Sequence, residues 1–73
     1  MRFSNALESL SAGNRVTRKG WNGKGMWLAI QHPTETSKMT LPYIYMCTVT
    51  QDLVPWLASQ SDLLGSDWEV YHG

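Results

Sequence analysis

The sequence predicts a small α+β domain: one antiparallel β-sheet with a short N-terminal helix and a one-turn helix near the C-terminus. Three observations predict it. A single stripe of apolar residues at helical spacing opens the 73-residue chain. Short runs of strand-forming residues follow, several of them punctuated by Gly, Asn or Pro. A Ser/Asp cluster ahead of Gly65 then marks a second, brief helix.

The elements are read in order. Phe3, Ala6, Leu7 and Leu10 fall at i, i+3, i+4 and i+7, one face of a helix. Asn5 with Glu8 three residues later has the pattern of a capping box, with Ser4 the alternative cap, and Gly13 stands where a left-handed residue ends the helix. Two turns are too few to be stable alone, so the stripe must pack on something. Arg15 to Arg18 alternates as a first strand, and Lys19 to Gly25 is a turn region with Asn22-Gly23 as its strongest signal. Met26 to Gln31 resumes a strand that Pro33 closes, and residues 32 to 38 are a polar loop. Met39 to Leu41 and Tyr43 to Val49 are two further strand candidates, interrupted at Pro42, which belongs at an edge or bulge. Ser59 or Ser61 caps a helical turn ending at Gly65, and Trp68 to Tyr71 forms a closing strand. If Met26, Leu28 and Ile30 face the core, Trp27, Ala29 and Gln31 face the other way.

Length allows one domain, residues 1–73, and a domain of this size buries only about 60% of its unfolded surface. Its core therefore needs help from a staple or from self-association. The single Cys47 excludes an internal disulfide, and the distant His32 and His72 argue against a structural metal. Six basic residues balance six acidic ones, which argues against a partner that is a nucleic acid polymer. The apolar runs Met26 to Ile30 and Tyr43 to Cys47 are too short to cross a membrane, and the first residues lack a signal peptide's apolar stretch, so a cytosolic domain is expected.

Enzyme motifs are absent: no phosphate loop, zinc-protease or nucleophile-elbow pattern occurs. Asp52, Asp62, Asp67 and Glu69 are carboxylates enough for an acid–base pair. However, Asp67 beside Ser66 suits a turn and Glu69 alternates outward from Trp68 and Val70, so no catalytic residue is assigned. The informative segment is Arg15 to Trp27. It holds four of the six basic residues (Arg15, Arg18, Lys19, Lys24), three of the six glycines, and Trp21 and Trp27. Turn N–H groups form anion nests, Arg and Lys add charge-assisted donors, and a Trp face stacks a nucleobase for about 1–3 kcal/mol. Together these are what a nucleotide requires. The same residues also suit a plain soluble turn with core or interface tryptophans, and composition leaves the two open.

A second cluster places Asp52, Gln60 and Asp62 around Trp56. Such side chains bind ribose hydroxyls or an adenine edge, yet Ser61-Asp62-Leu63-Leu64 reads first as a helix start. The chain is basic early and acidic late, so a head-to-tail or symmetric contact between protomers would bring opposite charges together. Cys47 reads as a small apolar strand residue and Trp68 as core.

Three blocks carry a family resemblance: Arg18-Lys19-Gly20-Trp21-Asn22-Gly23-Lys24, Pro42-Tyr43-Ile44-Tyr45-Met46, and Val54-Pro55-Trp56-Leu57-Ala58-Ser59-Gln60-Ser61-Asp62-Leu63-Leu64 with Asp67-Trp68. In order and spacing they resemble the phage Thoeris anti-defence proteins of the second type, over nearly the whole chain, and Phe3-Ser4-Asn5-Ala6-Leu7 resembles that family's usual start. The resemblance implies a non-enzymatic sponge without cofactor, working in the cytoplasm of the infected bacterial host. Members bind nucleotide immune signals such as glycocyclic ADP-ribose made by TIR-domain proteins, and some hold cyclic oligonucleotides. They are described as homotetramers with pockets between protomers. Carried onto this sequence, the resemblance implies base stacking by Trp21 and Trp27 and phosphate or ribose contacts by Arg18, Asn22 and Lys24, followed by Trp56, Gln60 and Asp62. The rival readings are a small hydrolase of the same signals and a protein-interaction module.

Overall fold

The apolar stripe folds as helix α1 (Phe3–Ser11) in the computed structural model, which describes residues 1–73. Its beginning differs from the expected capping box. The cap is Arg2, not Asn5 or Ser4, and no side chain accepts from the first turn. The cause lies outside the helix: Trp68 N–H donates to the Met1 carbonyl, so the entering chain is already pinned, and the N–H groups of Asn5 and Ala6 close on Arg2 O. The helix end is as expected. Gly13 adopts φ +95°, its N–H donates to Leu10 O and the Asn14 N–H to Ser9 O, a Schellman closure that a side chain at φ > 0 would strain. Leu7, counted in the stripe, is 41% exposed.

Five strands form one antiparallel sheet in the order β4-β3-β2-β1-β5: β1 (Val16–Arg18), β2 (Trp27–Gln31), β3 (Tyr43–Cys47), β4 (Leu53–Pro55) and β5 (Trp68–Val70). The longest ladder joins β2 and β3, from Trp27↔Cys47 to Gln31↔Tyr43. Asn22-Gly23 is not a two-residue hairpin turn. Residues 19 to 26 separate β1 from β2, and the positive φ falls at Gly25. Met39 to Leu41 is loop rather than strand: Pro42, which lacks an N–H, separates it from β3, and a local turn between Thr34 and Ser37 precedes it. Strand β3 stops at Cys47, short of Val49, because the Gln51 N–H returns to Thr48 O and turns the chain into β4. Strand β4 was not foreseen. It carries Pro55 at the sheet's edge, where the missing N–H costs no ladder bond.

Helix α2 (Gln60–Leu64) starts on a reciprocal cap, Ser59 Oγ accepting from the Asp62 N–H and Asp62 Oδ2 from the Ser59 N–H, and ends at Gly65. Ala6, Leu10, Val16, Leu28 and Trp68 are fully buried between α1 and one face of the sheet, with Phe3, Trp21, Ile30, Ile44, Met46 and Trp56 packed around them. The opposite face, carrying Trp27, Ala29, Gln31, Tyr43 and Tyr45, has no layer over it, since both helices lie elsewhere. No helix is long and apolar enough to cross a membrane.

Candidate functional site

The chemistry-bearing residues gather around Trp68. This residue is 1% exposed, and its indole Nε1–H donates to Asp62 O at 2.9 Å. Trp21 and Trp56 each meet its ring edge-on, with centroids 5.4 and 6.1 Å away, and Phe3 completes the cluster. Arg18 is the cross-strand partner of Trp68, and that register aims its guanidinium at the start of α2. Its Nη1 donates to Asp62 Oδ1 at 2.9 Å and its Nε to Asp67 Oδ1 at 2.8 Å. Trp21 Nε1–H also reaches Asp62 Oδ1, at 3.3 Å. Four of the sequence-derived site residues, Arg18, Trp21, Trp56 and Asp62, are thus brought together from β1, the β1–β2 loop, the chain after β4, and α2.

Gly20, one of the three glycines in the Arg15 to Trp27 segment, and Gly65 after α2 accommodate this ion-pair network. The Gly20 N–H donates to Asp67 Oδ2 at 2.8 Å, and a Cβ there would stand 2.7 Å from that oxygen. A Cβ at Gly65 would stand 2.9 Å from Arg18 Nη2. Burial pushes the Asp62 carboxyl up, but bonds from Ser59, Arg18 and Trp21 outweigh it and hold it below the usual carboxylate range. Arg18 holds Asp67 low as well, aided by the Gly20 N–H. The two carboxylates in turn raise the Arg18 pKa further above its ordinary value, Asp67 first. Both acids are therefore ionised hydrogen-bond acceptors at neutral pH.

The other assigned residues are placed apart. Asn22 and Lys24 are exposed on the β1–β2 loop, and Gln60 is exposed at the first position of α2. Asp52 belongs to the β3–β4 turn and accepts from Thr50 Oγ1. Trp27 lies across the sheet from Trp21, with Tyr45 and Tyr71 at ring-centroid distances of 6.0 and 6.3 Å. Arg15 caps that group, its guanidinium carbon 4.8 Å from the Trp27 ring and 5.1 Å from the Tyr71 ring. Arg15, Tyr45 and Tyr71 had no assigned role. The period-two argument that turns Trp27 outward carries them too, since Arg15 stands two residues before Thr17 on β1.

None of the surface concavities is lined by any of the eight assigned residues. They open instead around Tyr43 and between α1 and α2, where Phe3, Leu7, Leu63 and Leu64 line the walls. A single protomer thus has no pocket at its tryptophan–carboxylate cluster, in which Trp68 and Asp62 are both buried. No group of three or more His, Cys, Asp or Glu is placed to hold a metal ion.

The family described as Thoeris anti-defense 2-like domain matches residues 1–71. The chain is also 31% identical to a protein of Bacillus phage SP01 named Thoeris anti-defense 2, over 96% of this chain and 93% of that one. The family match runs from α1 through β5, and so includes the whole network that links Arg18, Trp21, Asp62 and Trp68. The chain belongs to the Thoeris anti-defense 2-like family.

Proposed function

We propose that the protein is a phage anti-defence sponge. It binds nucleotide immune signals of the glycocyclic ADP-ribose type, with cyclic oligonucleotides as a further ligand class, and holds them intact in the cytoplasm of the infected host. The effector that reads the signal then stays inactive. Family membership supports the anti-defence role. The structural observation that carries the binding role is the Trp21–Asp62–Arg18 cluster, which Trp21 joins to the exposed loop carrying Asn22 and Lys24.

In this reading Trp21 stacks a base, while the exposed Asn22 and Lys24 on the same loop contribute donors to phosphate or ribose. Gln60 contributes an amide acceptor for ribose hydroxyls, Asp62 holds Trp21 through the indole N–H, and Trp56 extends the aromatic surface. Arg18 acts chiefly through Asp62, keeping it ionised and oriented.

To outcompete a sensor the sponge must bind at nanomolar affinity, about −12 kcal/mol. A protomer with no pocket at this cluster does not supply that, whereas a site closed by a second protomer buries most of a nucleotide. The working unit is accordingly a homo-oligomer, a tetramer by family resemblance. The test is to incubate the protein with glycocyclic ADP-ribose, denature it and chromatograph what is released. Intact signal is expected, and a cleaved product would replace the sponge with a hydrolase. Trp21→Ala should abolish binding, measured by calorimetry, while the oligomer persists; undiminished binding would remove Trp21 from the site.

A further inference from the structure

The loop of residues 19 to 26 carries Trp21, Asn22 and Lys24, three of the proposed contacts to the signal. Its first end is tied by hydrogen bonds. The Lys19 N–H donates to Asp67 O, the Gly20 N–H to Asp67 Oδ2 and the Trp21 N–H to Arg18 O. Its last residue is tied as well, Met26 O accepting from Thr17 Oγ1 at 2.7 Å. Between these ends no backbone–backbone hydrogen bond holds Asn22 to Gly25. Their position depends on packing, and what they pack against is the β3–β4 turn. A Cβ on Gly23 would stand 3.0 Å from Val49 Cγ2 and 2.6 Å from Met26 Sδ, and one on Gly25 would stand 3.3 Å from Gln51 Nε2. Gly25 also has φ +75°, so glycine suits both places where the loop closes on the turn.

Gln51 is the informative residue of that turn. It is the one non-glycine residue with positive φ, at 68°. The Gln51 N–H returns to Thr48 O and the Thr48 N–H reaches Asp52 O, both at 2.8 Å, a hairpin closure whose left-handed position glycine fills without strain. The turn alone is therefore better served by glycine. What glutamine adds is its amide, which folds back over the turn. Its Oε1 accepts from Cys47 Sγ at 3.6 Å, its Nε2 lies 3.5 Å from Thr48 O, and that same Nε2 faces Gly25. A strained backbone that keeps a side chain against a second loop points to a role outside its own turn.

We propose that Gln51, together with Val49, is a positioning residue of the signal-binding loop: the β3–β4 turn fixes Gly23 and Gly25 and thereby sets where the Asn22 and Lys24 donors stand before the ligand arrives. The inference rests on the sponge reading and adds to it residues that touch no ligand. A loop already ordered loses less entropy on binding, so its donors contribute more to affinity than the same donors on a free loop.

Calorimetric titration of the full chain with glycocyclic ADP-ribose, beside thermal melts, tests it. Gln51→Gly relieves the backbone and should keep or raise the melting temperature, yet weaken binding about three- to tenfold. Gly23→Ala should weaken binding by a similar factor. Val49→Ala added to it should recover part of the loss, since the shorter side chain makes room for the new methyl once the flexible Met26 moves aside. Backbone amide relaxation, measured by nuclear magnetic resonance without ligand, reads the loop directly. Order parameters of Gly23, Lys24 and Gly25 should fall in Gln51→Gly while those of β2 stay as in the wild type. Unchanged signal binding in Gln51→Gly overturns the inference. Unchanged loop order also overturns it, because weaker binding would then come from a direct contact. A wild-type chain that binds no signal rejects the sponge reading, and loop order in Gln51→Gly then decides the positioning role by itself.

Discussion

The two faces of the sheet use tryptophan in opposite ways. On the covered face Trp68 is enclosed by α1, Trp21, Trp56 and Phe3, and its indole N–H is bonded to Asp62 O. On the open face Trp27 has Tyr45 and Tyr71 beside it and the Arg15 guanidinium over its ring, but no helix above. The difference follows from supply. A sheet has two faces to bury, and a chain of this length, with one nine-residue helix and one of five, covers only one. The residue type is the same on both sides; the covering layer decides whether it serves as core or contact surface.

The strongest way to break the comparison is at Trp68. Trp68→Ala removes a fully buried indole and should cost about 3–5 kcal/mol. A small domain has only about 5 kcal/mol to lose, so urea denaturation should find this variant largely unfolded. Trp68→Phe keeps a ring and loses the bond to Asp62 O, a smaller cost of about 1–2 kcal/mol. A native urea midpoint for Trp68→Ala would mean that the core is not centred on this residue.

Next in size is acid sensitivity, which belongs to the covered face alone. Asp62 and Asp67 both have folded-state pKa values below the ordinary value of about 3.9. The unfolded chain therefore binds protons first. The stability from these two groups is complete above the unfolded value and is lost as pH falls from about 4 through the depressed folded values. Melting temperature should accordingly drop between pH 5 and pH 2.5. Arg18→Ala should start lower at neutral pH and fall less steeply, because without the guanidinium the carboxyls titrate nearer their unfolded values. An equal slope in Arg18→Ala would detach the acid response from this network.

These contrasts also show what local sequence conveys. The helical stripe, the Gly13 terminus, a serine cap at Ser59 or Ser61 and the outward turn of Trp27 were legible because each depends on residues within one or two turns or on strict alternation. The misread features depend on distant partners. Arg2 replaces Asn5 as the cap because Met1 is held by Trp68, at the other end of the chain. Strand β4 is short, ends in Pro55 and exists because β3 offers it a free edge. The site was legible in part for the same reason. Arg18, Trp21 and Asp62 were each singled out, but spacing along the chain gave no sign that Arg18 would join Asp62 and Asp67 across more than forty residues. Arg15 was within reach, since the alternation that places Trp27 also places it, yet its charge was read as part of a basic run.

The smallest effect is the one that distinguishes a covered face from an open one. Trp27 is only half-buried in the protomer, so Trp27→Ala should cost about 1 kcal/mol or less when the protein is dilute, a shift of a few degrees in a domain of this size. Concentration then separates the faces. If a second copy covers Trp27, association stabilises the folded chain by mass action, and the wild-type melting temperature rises with protein concentration. Trp27→Ala should flatten that rise, whereas Trp68→Phe should lower every melting temperature and leave the dependence on concentration in place. A wild-type melting temperature that does not change with concentration would leave the open face uncovered in solution, and Trp27 would then be available to a small ligand in place of a second copy.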